Sequence, residues 1–196
     1  MKRLMLLLAF LISIGTSAFG QLVKEVTLSS TTNLAAALGD QAVTVTTLKI
    51  TGPLTAADFT TMKDNMAMLQ VLDMSGVTDL PLDPDRLQEG KWIPYNALAN
   101  KLTLQKVVLP ACLDGILSSA FEGCSNLLAV DFSLATKLKN ISWGTFRKCS
   151  GLQSIDLSGL EQLEYIGSSA FSLCNNLKSV NLSGCTKLQS IDAEAF

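Results

Sequence analysis

Few residues in this chain are equipped for chemistry, and the absent ones narrow the field first. There are 0 His among its 196 residues, which removes Ser-His-Asp and Cys-His catalysis and every His-containing zinc site. Neither G-x-x-x-x-G-K-S/T nor G-x-S-x-G occurs, so no phosphate loop or nucleophile elbow is expected. Five cysteines are present, with no C-x-x-C pair to hold a metal. Asp131 and Asp156 stand 25 positions apart. Two carboxylates alone are a weak metal signature, because calcium takes about six to eight oxygens. The side chains best suited to binding are aromatic: Trp92 and Tyr95, close to Pro81, Pro84 and Pro94, and the isolated Trp143. The 15 Lys+Arg against 17 Asp+Glu give a net charge of −2. Without a basic excess, phosphate neutralisation and nucleic-acid binding are not expected. The chemistry implied is recognition, with no catalytic residues, no cofactor and no metal.

The elements that carry these residues begin after a leader. Lys2-Arg3 is a positive n-region, Leu4 to Ile14 an apolar run of 11 residues, and Ala18-Phe19-Gly20 a small-residue cleavage region. Residues 1–20 therefore read as a secretory signal peptide, too short for a spanning helix. Cleavage after Gly20 leaves Gln21 first, and cleavage after Ala18 is the alternative. No Cys near either site offers a lipid anchor. Without Lys2 and Arg3, 13 basic residues face 17 acidic ones. No other apolar run approaches the roughly 18 residues a membrane span needs. The mature chain is expected to be secreted or held at the cell surface.

An internal repeat then organises everything that follows. Ala120-Phe121, Thr145-Phe146, Ala170-Phe171 and Ala195-Phe196 recur every 25 residues. Cys124, Cys149 and Cys174 keep the same interval, as do Leu127, Leu152 and Leu177. Ile116, Ile141, Ile166 and Ile191 form a further column. Each unit contains L-x-x-V/I-x-L/F, which alternates as a strand with one buried face should. Strand segments begin at residues 45, 69, 104, 127, 152 and 177. A unit this short cannot bury its own apolar face, so neighbouring units must cover it. The fold class is α/β: a right-handed leucine-rich-repeat solenoid with one parallel β-sheet and short helical turns on the opposite side. Phe from each turn should pile in one interior row.

Residues 21–44 precede the regular units. Val23 and Val26 alternate with polar residues and suggest a first strand. Asn33 can cap a short helix, Leu34 to Leu38, that ends at Gly39. This segment is expected to close the N-terminal end of the core. Gly52-Pro53 makes a turn, and Ala56 to Met66 reads as a helix on the outer face. Repeats occupy 45–196, with an insertion at about 78–95 that should leave the coil as a loop. The last unit stops at Phe196 before its cysteine, which leaves an apolar end expected to make end-to-end contact or to continue in a longer protein.

The succession L-x-x-I-x-L and I-x-x-x-A-F-x-x-C, the latter seen from Ile166 to Cys174, resembles the BspA-like leucine-rich repeats of secreted bacterial proteins. The resemblance is clear over 93–196 and extends plausibly from 45. It implies export or surface display and, for some members, adhesion to host matrix proteins or other cells. Two departures stand out: the insertion in the unit that begins at Leu69, and Ala97-Leu98 followed by Lys101 in place of A-F…C.

All five cysteines fall on repeat positions, with Cys112 and Cys185 at the ninth position of their units. Column neighbours lie about 4.8 Å apart, beyond the roughly 3.8 Å Cβ separation of a disulfide. The expectation is five thiols acting as small buried apolar groups.

Outward strand positions define a concave face that includes Lys106, Asp131, Asp156 and Asn181. One reading of the Asp/Asn strip is a cradle for a cation or a basic or hydroxyl-rich ligand. The other is solvated turn chemistry in D-x-S-G. Trp92 and Tyr95 in the insertion, and Trp143 in a column otherwise held by Ser118, Ser168 and Ala193, are candidate exposed anchors. For Trp143, lying flat over neighbouring coils is the alternative. The function expected is a non-catalytic module that recognises an extracellular protein or glycan through the concave sheet and the insertion. The competing expectation is a structural spacer without a ligand.

Overall fold

The computed structural model describes residues 21–82 and 90–196. Residues 1–20, expected to be a signal peptide, and, within the insertion, Asp83, Pro84, Asp85, Arg86 and Glu89 lie outside the described residues. Within them the chain coils into stacked units built on parallel strands. One ladder runs through β1 (Val23–Thr27), β2 (Thr47–Pro53), β3 (Val71–Asp79), β5 (Lys106–Val108) and β7 (Ala129–Asp131). A pair, β9 (Ser154–Asp156) and β11 (Ser179–Asn181), continues it. The middle residue of each repeat strand, such as Val107, Val130 and Ile155, points inward between the flanking leucines, as L-x-x-V/I-x-L requires.

The other side of the coil carries more than turns. Two-residue strands β4 (Trp92–Ile93), β6 (Gly115–Ile116), β8 (Asn140–Ile141), β10 (Tyr165–Ile166) and β12 (Ser190–Ile191) form a second parallel ladder. It brings the isoleucine column into register with Ile93. The I-x-x-x-A-F stretch that follows is a hydrogen-bonded turn, not a helix. Its N–H groups reach across to the next coil, as in Phe121 N–H to Thr145 O at 2.9 Å and Phe146 N–H to Ala170 O at 2.7 Å. A short turn satisfies its backbone with the neighbouring coil, where a helix would satisfy its own. Helices occur only before the regular repeats, among the described residues: α1 (Leu34–Leu38) and α2 (Ala56–Asp64).

Between the ladders the phenylalanines pile in a single row. Phe121, Phe146, Phe171 and Phe196 stack with centroids 5.2, 5.2 and 5.3 Å apart. Phe132 meets Phe146 edge-on at 6.2 Å. Phe121, Phe146 and Phe171 are buried. Offset aromatic contacts of this kind add about 0.5–1.5 kcal/mol each to the area they bury.

Residues 21–44 supply β1, α1 and a 3-10 turn, and Asn33 Oδ1 accepts the Ala36 N–H at 2.9 Å as the spacing predicts. Asp58, buried at 1% exposure, ties the two helices together. Its Oδ1 accepts the Leu34 N–H at 2.7 Å, and its Oδ2 accepts the N–H and hydroxyl of Thr55 at 2.8 and 2.6 Å. Lys101 stands where later units have cysteine, and its Nζ donates to Lys63 O at 2.9 Å, near the end of α2. A cation is favourable at a helix C-terminus, so this departure from the repeat joins the helical units to the regular ones.

Replacing Phe146 by Ala should lower stability by about 3–5 kcal/mol. Asp58→Ala should lower it by about 2–3 kcal/mol, because backbone donors are left buried. Urea unfolding followed by circular dichroism measures both; a loss under about 1 kcal/mol for Phe146→Ala would contradict a dry ring row.

Candidate functional site

Two surfaces carry the residues that the sequence marks out, and each grows from a column of the repeat. On the first ladder, outward strand positions place Lys106, Asp131 and Asp156 around a depression of about 320 Å³. Asn181 pairs in register with Asp156 but does not line it. β7 and β9 lie side by side with no hydrogen-bonded ladder between them, so the two aspartates meet where the sheet opens.

The carboxylates are already employed. Asp131 accepts the Ser133 N–H at 3.0 Å and Asp156 the Ser158 N–H at 3.0 Å. Asn181 Oδ1 does the same for Ser183 at 3.1 Å, and Asp73 for Ser75 at 2.8 Å. These are Asx turns that close each coil after its strand. The Ser133 hydroxyl, then its N–H and the Lys106 charge, hold Asp131 below its ordinary pKa, against the opposing effect of burial. Hydrogen bonds from Ser158 lower Asp156 in the same way. Of the two readings of D-x-S-G, turn chemistry accounts for the hydrogen bonds each carboxylate makes to its own serine, while Lys106 beside Asp131 and the Asn181 amide beside Asp156 are the further partners. No group of three or more His, Cys, Asp or Glu there is arranged to hold a metal ion.

The second ladder builds a different surface. Register aligns Trp92, Gly115, Asn140, Tyr165 and Ser190 in one column, one residue before the isoleucines. Two residues after each isoleucine comes the column of Tyr95, Ser118, Trp143 and Ser168. The next residue has a left-handed backbone in every unit: Asn96 (φ 52°), Ser119 (56°), Gly144 (60°) and Ser169 (56°). That turn of the chain leaves the preceding side chain outside the coil. The two columns together enclose a groove of about 440 Å³ lined by Trp92, Tyr95, Trp143 and Tyr165, with Asn140 and serines between them. Trp143 is 49% exposed, Tyr165 40% and Tyr95 39%. The Tyr165 hydroxyl donates to Gln189 Oε1 at 2.8 Å, which holds the ring upright.

Trp92 corrects an expectation. It is only 8% exposed and belongs to β4 instead of to a projecting loop. Its ring lies over the next coil, so close that a Cβ at Gly115 would sit 2.0 Å from it. Trp92 therefore forms a wall of the groove, and the exposed tryptophan is Trp143. The insertion is also shorter than its composition suggests, because β3 continues to Asp79 and Lys91 salt-bridges back to it. The aromatic groove and the depression at the Asp strip share no lining residue. Tyr165 escaped the sequence reading. Its signal was its place in the Trp92 column, which becomes visible only once Ile93 is set in register with Ile116.

The cysteines are structural. All five are free. The thiols of Cys124, Cys149 and Cys174 donate to Leu98 O, Phe121 O and Phe146 O of the preceding coil at 3.1, 3.2 and 3.1 Å. Burial pushes the Cys124 thiol up to about 12 and the Cys174 thiol to about 11. Burial, then the flanking Cys124 and Cys174, raises Cys149 as well.

Parallel ladders stacked coil on coil around a row of rings define a solenoid of the leucine-rich-repeat class. The chain belongs to the family of BspA type leucine rich repeat regions, whose model matches residues 91–196 in six copies. Repeats of this class are generally non-catalytic modules that bind proteins, and the BspA type is typical of bacterial surface or secreted proteins. No curated protein matches the chain. Among solved structures it is similar to a leucine-rich repeat protein from Bacteroides ovatus ATCC 8483, with 22% identity and a TM-score of 0.40 over 64% of this chain and 40% of that one. It is also similar to the leucine-rich repeat protein of T. pallidum, with 20% identity and a TM-score of 0.35 over 60% of this chain and 77% of that one. The chain thus spans less than half of the first of these. No helix among the described residues is long and apolar enough to cross a membrane.

A thiolate-directed reagent applied to the native protein near the ordinary thiol pKa of about 8.5 should leave Cys124, Cys149 and Cys174 unlabelled. After denaturation without reductant, all five thiols should react. Rapid native labelling of any of the three, read by mass spectrometry, would contradict their burial.

Proposed function

We propose that this chain is a non-catalytic binding module at the cell exterior, and that its ligand, a protein or a glycan, seats in the groove of the second ladder. One observation carries this reading. Trp143, Tyr165 and Tyr95 are each more than a third exposed, yet they line one groove with Trp92 behind them. A soluble protein gains nothing in stability from leaving large rings in water, and clustered exposed aromatics mark interaction sites. The concave strip is the weaker candidate, because its aspartates are occupied by their own turns. Exterior placement is supported by the leader at residues 1–20 and by the habits of the family.

The test is capture of ligand from immobilised host matrix proteins and glycans by the mature chain. Trp143→Ala and Tyr165→Ala should each weaken capture by about 2 kcal/mol, a factor of roughly 30. Both variants should melt at the wild-type temperature, since both side chains are substantially exposed. Lys106→Ala and the double change Asp131→Asn, Asp156→Asn should leave capture within about threefold, the range of rim residues. The reverse ranking would move the site to the concave strip. Absence of capture by the wild type would favour a spacer.

A further inference from the structure

We infer that the ligand of the second-ladder groove is a neutral polysaccharide laid along the solenoid axis, its sugar rings stacked on the exposed aromatics. The inference rests on the groove being the binding surface and adds the chemical class of what binds. Its first support is charge. Asp192 is the one ionised side chain in the lining, at one end of the groove, and its Oδ1 already accepts the Ser190 hydroxyl at 2.8 Å. Among the described residues the lining has no Lys or Arg, so these residues give sulfated or uronic polymers, nucleic acids and acidic peptides no counter-charge.

The second support is the mixture of surfaces. A pyranose ring has an apolar face of C–H groups and a rim of hydroxyls. Exposed Trp and Tyr faces suit the first, because the edges and faces of aromatic rings are electrically unlike and attract polarised C–H groups. Amides and hydroxyls suit the second. The lining sets the hydroxyls of Ser118, Ser142 and Ser168 and the amide of Asn140 beside the rings, as donors and acceptors for a hydroxyl rim.

The third support is periodicity. Along the second ladder the coils advance by about 4.8 Å per unit, the spacing of hydrogen-bonded strands. Tyr95 and Trp143 share a column two coils apart, and Tyr165 stands on the coil after Trp143. The rings therefore lie one or two coil steps apart along the groove, with serine hydroxyls at the coils between them, a spacing of the order of one to two hexose units of an extended chain. An extended peptide rises about 3.3 Å per residue, and its same-face side chains recur at about 6.6 Å, out of step with the coils. A folded protein surface has no translational repeat. The volume of about 440 Å³ lies within the range of small-ligand sites, about 300–1,000 Å³, and fits a short stretch of chain.

The experiment is affinity electrophoresis of the mature protein in native gels cast with soluble neutral polysaccharides: a β-1,4-glucan, a β-1,3-glucan, an α-glucan and a mannan. Parallel gels contain heparin and hyaluronan, and tryptophan fluorescence titration gives affinities. At least one neutral polymer should retard the protein, with little dependence on salt. Trp143→Ala and Tyr165→Ala should each weaken that binding at least tenfold, whereas Tyr165→Phe, which keeps the ring, should stay within threefold. Retardation only by the anionic polymers, by none of the panel, or equally for the alanine variants and wild type overturns the inference. Capture of a matrix protein that is lost in Trp143→Ala, with no polysaccharide bound, overturns the ligand class alone and leaves the groove as a protein-binding site.

Discussion

No coil in this protein can keep its own interior dry. A unit of about 25 residues has one inward strand residue, a few leucines, an isoleucine and a phenylalanine, and each of these is covered only by the unit beside it. Burial is thus shared between neighbours, and the ring row at 5.2 Å spacing is its most visible form. Every other regularity in the structure follows from that requirement. The two ladders run parallel because each coil must repeat the path of the one before. The isoleucines stay in register because a slip would send a buried residue to the outside.

Stacking also decides what becomes of the polar backbone. A coil with such short strands has many N–H and C=O groups that regular structure inside the unit cannot satisfy. The turns after Ile93, Ile116, Ile141 and Ile166 bond to the next coil, cysteine thiols donate to carbonyls of the previous one, and Asp131, Asp156 and Asn181 at the ends of β7, β9 and β11 accept a serine N–H. Residue types that elsewhere signal catalysis or metal binding are here consumed in closing coils. The same logic explains Asp58, whose buried carboxylate serves the ends of both helices at once.

What is left for recognition is whatever the stacking does not use. Outward columns are free to vary from unit to unit, and on the second ladder they hold Tyr95, Trp143 and Tyr165. The coil fixes their spacing while contributing a stiff floor. Positions that are structural in one unit and aromatic in another, such as Ser118 and Trp143, show how a repeat becomes a particular surface.

The order of residues alone was enough for the repeat, the inward columns, the phenylalanine row and the Asn33 cap, because these depend on periodicity and on local backbone chemistry, which are written along the chain. It was also enough to mark Trp143 as anomalous in its column. It could not tell that Trp92 is covered and Trp143 exposed. Exposure is a property of neighbours, and Trp92 is covered because Gly115, 23 positions away in sequence, leaves room for its ring. Nor could it tell that Tyr165 joins them, or that the aspartates face their own turns. Those facts depend on which coils touch and in what register, and only the folded stack brings residues from five separate units into one groove.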